Sequence, residues 1–237
     1  APDAPTIATD SPWVTIKFIF DKIVRGPSGL VTTLLTFSIT KTFFLFGAIF
    51  DMKKLFFYIF LLLNPIIGKA QIPTILIFGD SLSAGYGIDI DQAWPTLLET
   101  RLASKNLNYQ VVNASISGDT TRGASVRLDK LLRQVQPDIS IVELGGNDGL
   151  RGFSLEEISI NLKEIINQLI SQNSNILLVP MRLPPNYGKS YNERFTGIYS
   201  ELATSHDLVL TRFILQGMAD KVDLMQSDGI HPLAEAQ

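Results

Sequence analysis

A chain of 237 residues with 20 Lys and Arg against 23 Asp and Glu has the length for one or two domains, and length alone favours one. Seven of those basic and four of those acidic residues precede Gln71, so the remainder holds 13 and 19, a net charge of −6 with no basic stripe for a nucleic-acid backbone to follow. The absence of cysteine excludes disulfides, thiol nucleophiles, zinc–thiolate sites and lipid-modified cysteine anchors, and leaves the redox compartment open.

The mean hydropathy of +0.20 is high for a soluble protein, and the apolar excess is concentrated before Gln71. Leu30–Phe50 is apolar and nearly long enough to span a bilayer, with Lys41 near its middle. Met52-Lys53-Lys54, the apolar run Leu55–Leu63, the helix-breaking Asn64-Pro65 and the small residues Gly68 and Ala70 have the layout of a secretory signal peptide cleaved after Ala70. A buried helix is the alternative, which Pro65 and the flanking lysines fit poorly. On this reading residues 52–70 are a signal peptide starting at Met52, and residues 1–51 are upstream sequence or, alternatively, carry a membrane anchor at 30–50. Residues 71–237 then form the working domain, periplasmic or secreted, monomeric and without stable membrane insertion.

From Gln71 onward short apolar runs alternate with longer amphipathic ones. Strands are predicted at Thr74–Phe78, Tyr109–Asn113, Ile139–Glu143, Ile176–Val179 and, more weakly, Leu208–Leu210. Helices are predicted near Ala93–Lys105, Gly123–Gln134, Leu155–Gln172 and Tyr191–His206. The third is the clearest: Leu155, Ile158, Leu162, Ile165, Ile166 and Leu169 recur at helical spacing, and Ser154 with Glu157 forms a capping box. Strands separated by helices imply right-handed crossovers, hence a three-layer α/β/α sandwich around a mostly parallel five-stranded sheet.

Open parallel sheets place their sites beyond the carboxyl ends of the strands, and four chemistry-bearing blocks fall there. Gly79-Asp80-Ser81-Leu82-Ser83 follows the first strand and Ala114-Ser115-Ile116-Ser117-Gly118-Asp119 the second; Gly145-Gly146-Asn147-Asp148 follows the third, and Asp228-Gly229-Ile230-His231 lies past the last. Singly, each block is a common turn sequence; four in order on one edge are a specific pattern. Together they resemble the GDSL/SGNH hydrolase superfamily, with Ser81, Gly118, Asn147 and His231 at its four name-giving positions. The longer stretches Gly79–Gly87, Asn113–Thr121, Glu143–Gly152 and Arg182–Gly188 are similar to its thioesterase I/lysophospholipase L1/arylesterase branch, and the likeness covers nearly all of residues 73–237. The resemblance implies a flavodoxin-like sheet and a final helix after the His231 block; the sequence stops at Gln237, so that either the domain is truncated at its C-terminus or it does without that helix.

The chemistry of the residues leads the same way. A serine hydroxyl is a weak nucleophile that needs an adjacent base, and the chain holds two histidines. His206, beside Asp207 at a helix end, is read as a solvated position. His231 stands three residues after Asp228 in a glycine-containing loop, so that Asp228 can hold the imidazole in the tautomer that accepts the Ser81 proton. The plain structural alternative is that Asp228 caps a helix starting near Pro232. The backbone N–H groups of Ser81 and Gly118 and the side-chain amide of Asn147 are the expected oxyanion donors, with Gly118 chosen because a missing Cβ admits substrate closely. Asp80 and Asp148 are read as loop-fixing carboxylates. The G-x-S-x-G elbow of α/β-hydrolases does not surround Ser81.

With two separated histidines and no cysteine no usual zinc set is present, and no P-loop ending follows the glycine-rich turns, so neither metal nor nucleotide cofactor is expected. The resemblance implies fatty acyl thioesters, lysophospholipids and aryl esters as substrates. Leu150, Phe153, Leu183 and Tyr187 are candidate walls for the acyl chain, with ordinary loop packing as the equal alternative. Two other functions remain in view: a carbohydrate deacetylase of the same superfamily, and a non-catalytic lipid-binding protein that keeps the fold.

Overall fold

The computed structural model describes residues 72–237; the signal-peptide, membrane-segment and upstream-extension readings fall outside them. The first strand, β1 (Thr74–Gly79), is buried along its whole length, as a central strand covered on both faces must be. It pairs in parallel with β2 (Gln110–Asn113) on one side and β3 (Ile139–Glu143) on the other. Next come β4 (Asn175–Leu178) and the two-residue β5 (Val209–Leu210), giving the order β2-β1-β3-β4-β5. This is the flavodoxin-like order. Every pairing between these strands is parallel.

Four long helices make the crossovers, all within two residues of their predicted ends. Helix α2 (Trp94–Ser104) has Pro95 in its first turn, where no amide donor is missed, and buries Trp94, Leu98 and Leu102. In α3 (Thr121–Leu132) the Thr120 hydroxyl accepts from the Gly123 N–H at 3.2 Å, and Ala124, Leu128 and Leu132 are buried. Helix α5 (Leu155–Ser171) has the predicted Ser154 cap and a fully buried stripe of Ile158, Leu162, Ile165, Ile166 and Leu169. Helix α6 (Lys189–Ser205) buries Phe195, Ile198, Tyr199 and Leu202. Right-handed crossovers put α2 on one face of the sheet and α3, α5 and α6 on the other, where α5 touches both neighbours. Among the described residues no helix is long and apolar enough to cross a membrane.

Two short helices were not anticipated, α1 (Ser81–Ala84) and α4 (Gly146–Leu150). Each is about a turn long, too short for an apolar period to register. Both begin immediately beyond the carboxyl ends of β1 and β3. No helix starts at Pro232; Met225 and Pro232 form an antiparallel bridge, and only a short turn of 3₁₀ helix follows at Ala234–Ala236.

Candidate active site

In the order β2-β1-β3 the chain leaves β1 in opposite directions on its two sides, and a crevice opens above that switch. Ser81 opens α1 over the end of β1, and Asp80 caps it by accepting the Leu82 N–H at 3.2 Å. Asn147 lies in α4, over the end of β3. Asp228 and His231 sit in a loop closed by the Met225–Pro232 bridge and by the Gln226 N–H, which donates to the His231 carbonyl at 2.7 Å.

That closure brings side chains 150 residues apart into contact. His231 Nε2 lies 2.8 Å from Ser81 Oγ, and His231 Nδ1 lies 2.7 Å from Asp228 Oδ2. The other oxygen, Asp228 Oδ1, accepts the backbone N–H groups of Ile230 at 2.9 Å and His231 at 3.0 Å. The carboxylate therefore shapes its own loop instead of capping a helix. Partial burial pushes the Asp228 carboxyl up, but the His231 backbone N–H, the imidazole and the Ile230 N–H outweigh it and hold it down to about 2. An ionised Asp228 takes Nδ1–H, which leaves the Nε2 lone pair facing the serine hydroxyl. Tyr86 covers the imidazole, ring centroids 4.4 Å apart. His206 is elsewhere: its Nδ1 lies near Ser205 Oγ and the Leu202 carbonyl at the end of α6.

The other named positions are fixed by loop contacts. Asn147 Nδ2 donates to Asp80 Oδ2 at 3.1 Å, and an amide nitrogen so held still has a second N–H to offer. Gly118 adopts φ +79°, and its carbonyl accepts Arg151 Nη2 at 3.1 Å. A Cβ there would meet nothing nearer than Arg151 Nη2 at 3.8 Å, so the left-handed backbone, not crowding, is what asks for glycine. Arg127 braces the same loop: it donates to Asp119 at 2.7 Å and to the Ala114 carbonyl at 2.8 Å, and its guanidinium lies over Phe78. Asp148 accepts Thr121 N–H at 2.9 Å and Thr121 Oγ1–H at 2.6 Å, tying α4 to α3. Burial pushes its carboxyl up, against these hydrogen bonds.

Ser81, Asn147 and His231 line one cavity of about 560 Å³, within the range of small-ligand pockets. Leu150 and Leu183 line it as well. Tyr187 and Phe153 have other work: the Tyr187 hydroxyl donates to the Leu150 carbonyl at 2.8 Å, and the Phe153 carbonyl accepts from Tyr191 at 3.1 Å. Met181, which opens the predicted wall loop 181–187, and Ile230 of the histidine block also line it, whereas Phe213, Leu215 and Met225 are lining residues that had no sequence signal. Phe213 and Leu215 follow β5 in a segment with no period; the strand-end rule that located the four blocks would have pointed to them too. Chemically, the arrangement offers a hydroxyl with its base in contact, the base oriented by an anion, and a largely apolar space beside them.

Comparison with known proteins gives a consistent result. The sequence profile of the GDSL-like Lipase/Acylhydrolase family matches residues 77–237. The thioesterase 1/protease 1/lysophospholipase L1 of Escherichia coli (strain K12) is 48% identical over 168 residues, 71% of this chain and 79% of that protein. The arylesterase of Vibrio mimicus is 44% identical over 163 residues, 69% of this chain and 82% of that protein. Among solved structures, the crystal structure of TesA is similar with a TM-score of 0.67 at 43% identity, over 69% of this chain and 91% of that one.

Proposed function

Because the chain belongs to the GDSL-like lipase/acylhydrolase family and is a serine esterase/thioesterase, we propose that Ser81 is its nucleophile, His231 its general base and acid, and Asp228 the group that orients the base. The supporting observation is the unbroken hydrogen-bond chain from Ser81 Oγ through the imidazole to Asp228, opening into the cavity. Ser81 Oγ adds to the acyl carbonyl carbon as its proton passes to His231 Nε2. The tetrahedral oxyanion faces the N–H groups of Ser81 and Gly118 and the free N–H of Asn147. Collapse expels the alcohol or thiol, which takes the proton from His231, and leaves Ser81 acylated. Water then adds to the acyl-enzyme, giving its proton to His231, and departure of the carboxylic acid returns that proton to Ser81.

Leu150, Met181, Leu183, Phe213, Leu215 and Ile230 give the cavity walls that suit an acyl chain better than a sugar ring, which favours fatty acyl thioesters, lysophospholipids and aryl esters over acetylated carbohydrate. We further propose export, with residues 52–70 removed as a signal peptide; the layout of Met52–Ala70 supports this reading. One experiment addresses both. Expression from Met52 in a Gram-negative host is expected to yield a periplasmic product whose intact mass begins at Gln71. That product is expected to hydrolyse medium and long acyl-CoA, lysophospholipid and aryl esters in preference to acetyl esters. A product retaining Leu55–Leu63 in the membrane fraction overturns the export reading, and a strict acetyl preference overturns the substrate class.

A further inference from the structure

Beneath the serine turn lies a carboxyl pair that the hydrolytic steps above leave unused. Glu143 ends β3 and is fully buried, and Asp80, just beyond β1, is 2% exposed. Glu143 Oε2 accepts Ser83 Oγ–H at 2.7 Å and the Asp80 backbone N–H at 3.3 Å. Glu143 Oε1 is equally buried, and among the described residues it has no donor partner. The Asp80 N–H on Glu143 Oε2 sets the two carboxyl groups side by side, and each shifts the other's titration. Asp80 has other donors on both oxygens, the Leu82 N–H on Oδ1 and Asn147 Nδ2 on Oδ2. The strand leaves deliberate room for the pair: a Cβ at Gly79 would lie 2.6 Å from Glu143 Oε2 and 2.8 Å from Ser83 Oγ.

Two neighbouring carboxylates, both buried, strongly disfavour ionising together. A proton on one of them converts the repulsion into a charge-assisted hydrogen bond. The donors bear on where it sits: those around Asp80 favour an anion, whereas none among the described residues reaches Glu143 Oε1, which suits the protonated acid. We propose that Glu143 is a positioning residue of this hydrolase: held as the neutral acid, it donates from Oε1 to the Asp80 carboxylate and through Asp80 fixes both the Asn147 amide and the Ser81 turn. The inference rests on the roles given above to Ser81 and Asn147.

The electrostatics agree. Burial, then the neighbouring Asp80 charge, push the Glu143 carboxyl well above the usual range, against the Ser83 hydroxyl. Burial pushes Asp80 up to about 6, opposed by the Leu82 N–H, Glu143, His231 and Asn147. The other titratable groups around the pair are His231 in front, Asp148 from α4, and the buried Tyr199 of α6, whose hydroxyl donates to the Leu144 carbonyl.

The test compares Glu143→Gln and Glu143→Leu with the native enzyme, using aryl-ester kinetics across pH and thermal unfolding. Glutamine supplies an N–H toward Asp80 and an oxygen for Ser83, as the protonated acid does, so kcat is expected to stay within about threefold. Its acidic limb of kcat/KM is expected to stay in place, since no charge has changed, and an alkaline fall from ionisation at position 143 is expected in the native enzyme and not in this variant. A raised folded-state pKa means the native fold binds this proton more tightly than the unfolded chain. Native stability therefore falls as pH rises above about 4.3, and Glu143→Gln is expected to flatten that slope. Glu143→Leu leaves Asp80 a buried anion short of a donor, and kcat is expected to fall on the order of tenfold or more with KM little changed. An acidic limb displaced to lower pH in Glu143→Gln means that Glu143 was an anion and overturns the proposal. Native kcat in Glu143→Leu also overturns it, and should that variant fail to fold, the Glu143→Gln profile still decides. Ser81→Ala in the same assay separates the two layers: if it retains activity, the nucleophile assignment fails and not the carboxyl pair.

Discussion

Asn147 is the residue on which the proposed oxyanion role turns, because its amide nitrogen commits one N–H to Asp80 and carries a second. Asn147→Ala is expected to lower kcat by on the order of 10²–10³-fold with a much smaller change in KM, because the donor acts on charge present only in the transition state. Steady-state kinetics and thermal unfolding on one preparation check this, and a lower melting temperature with native turnover would make Asn147 a structural residue. Asp228 bears on pH differently. With its folded pKa down at about 2, the stability it contributes is in place above an unfolded value of about 3.9 and is lost as pH falls toward 2. Acid loss of activity near neutrality is thus not a titration of Asp228. Legibility at this scale was uneven. Ser81, Asn147 and His231 were readable because each stands in a short block at a strand end. Glu143 and Tyr86 stand in the longer stretches that carry the family likeness, but nothing in the sequence assigned either a role: a buried acid at a strand end looks like a polar residue leaving the sheet, and a tyrosine beside glycines looks like turn packing.

Single elements hold the site in register. The loop bearing Asp228 and His231 is latched to the serine block by Gln226, whose Nε2 donates to the Tyr86 carbonyl at 2.8 Å and the Pro232 carbonyl at 3.0 Å. Gln226→Ala removes both bonds, each worth roughly 1 kcal/mol, and frees the histidine loop to drift from Ser81. A fall in kcat on the order of tenfold is expected, more than the loss of stability explains, since misplacement of a base by about 1 Å is costly. Urea unfolding alongside kinetics tests this; a stability loss with unchanged kcat would reduce Gln226 to a loop brace. Helices α2, α3, α5 and α6 were legible because each buries a stripe at helical spacing. Helices α1 and α4 were not, because a single turn has no period, and yet these two present Ser81 and Asn147. The segment after β5 was missed for the same reason.

At the scale of the whole molecule, alternating strands and helices were enough to predict a parallel α/β sandwich. Strand order was another matter, because it depends on which way each crossover turns; the flavodoxin-like order came from the family resemblance, and the sheet has it. That order assembles the site: β1 lies between β2 and β3, so the blocks carrying Ser81, Gly118 and Asn147 end side by side, and the loop beyond β5 closes over them with His231. The central claim is that this assembly makes Ser81 the one serine that forms a covalent acyl intermediate. Its most direct test is treatment with a fluorophosphonate, followed by intact mass and peptide mapping. One label per chain is expected, on the peptide containing Ser81, and for Ser81→Ala no label and a kcat lower by on the order of 10⁴-fold or more. A label on any other serine, or turnover that survives Ser81→Ala, would contradict it.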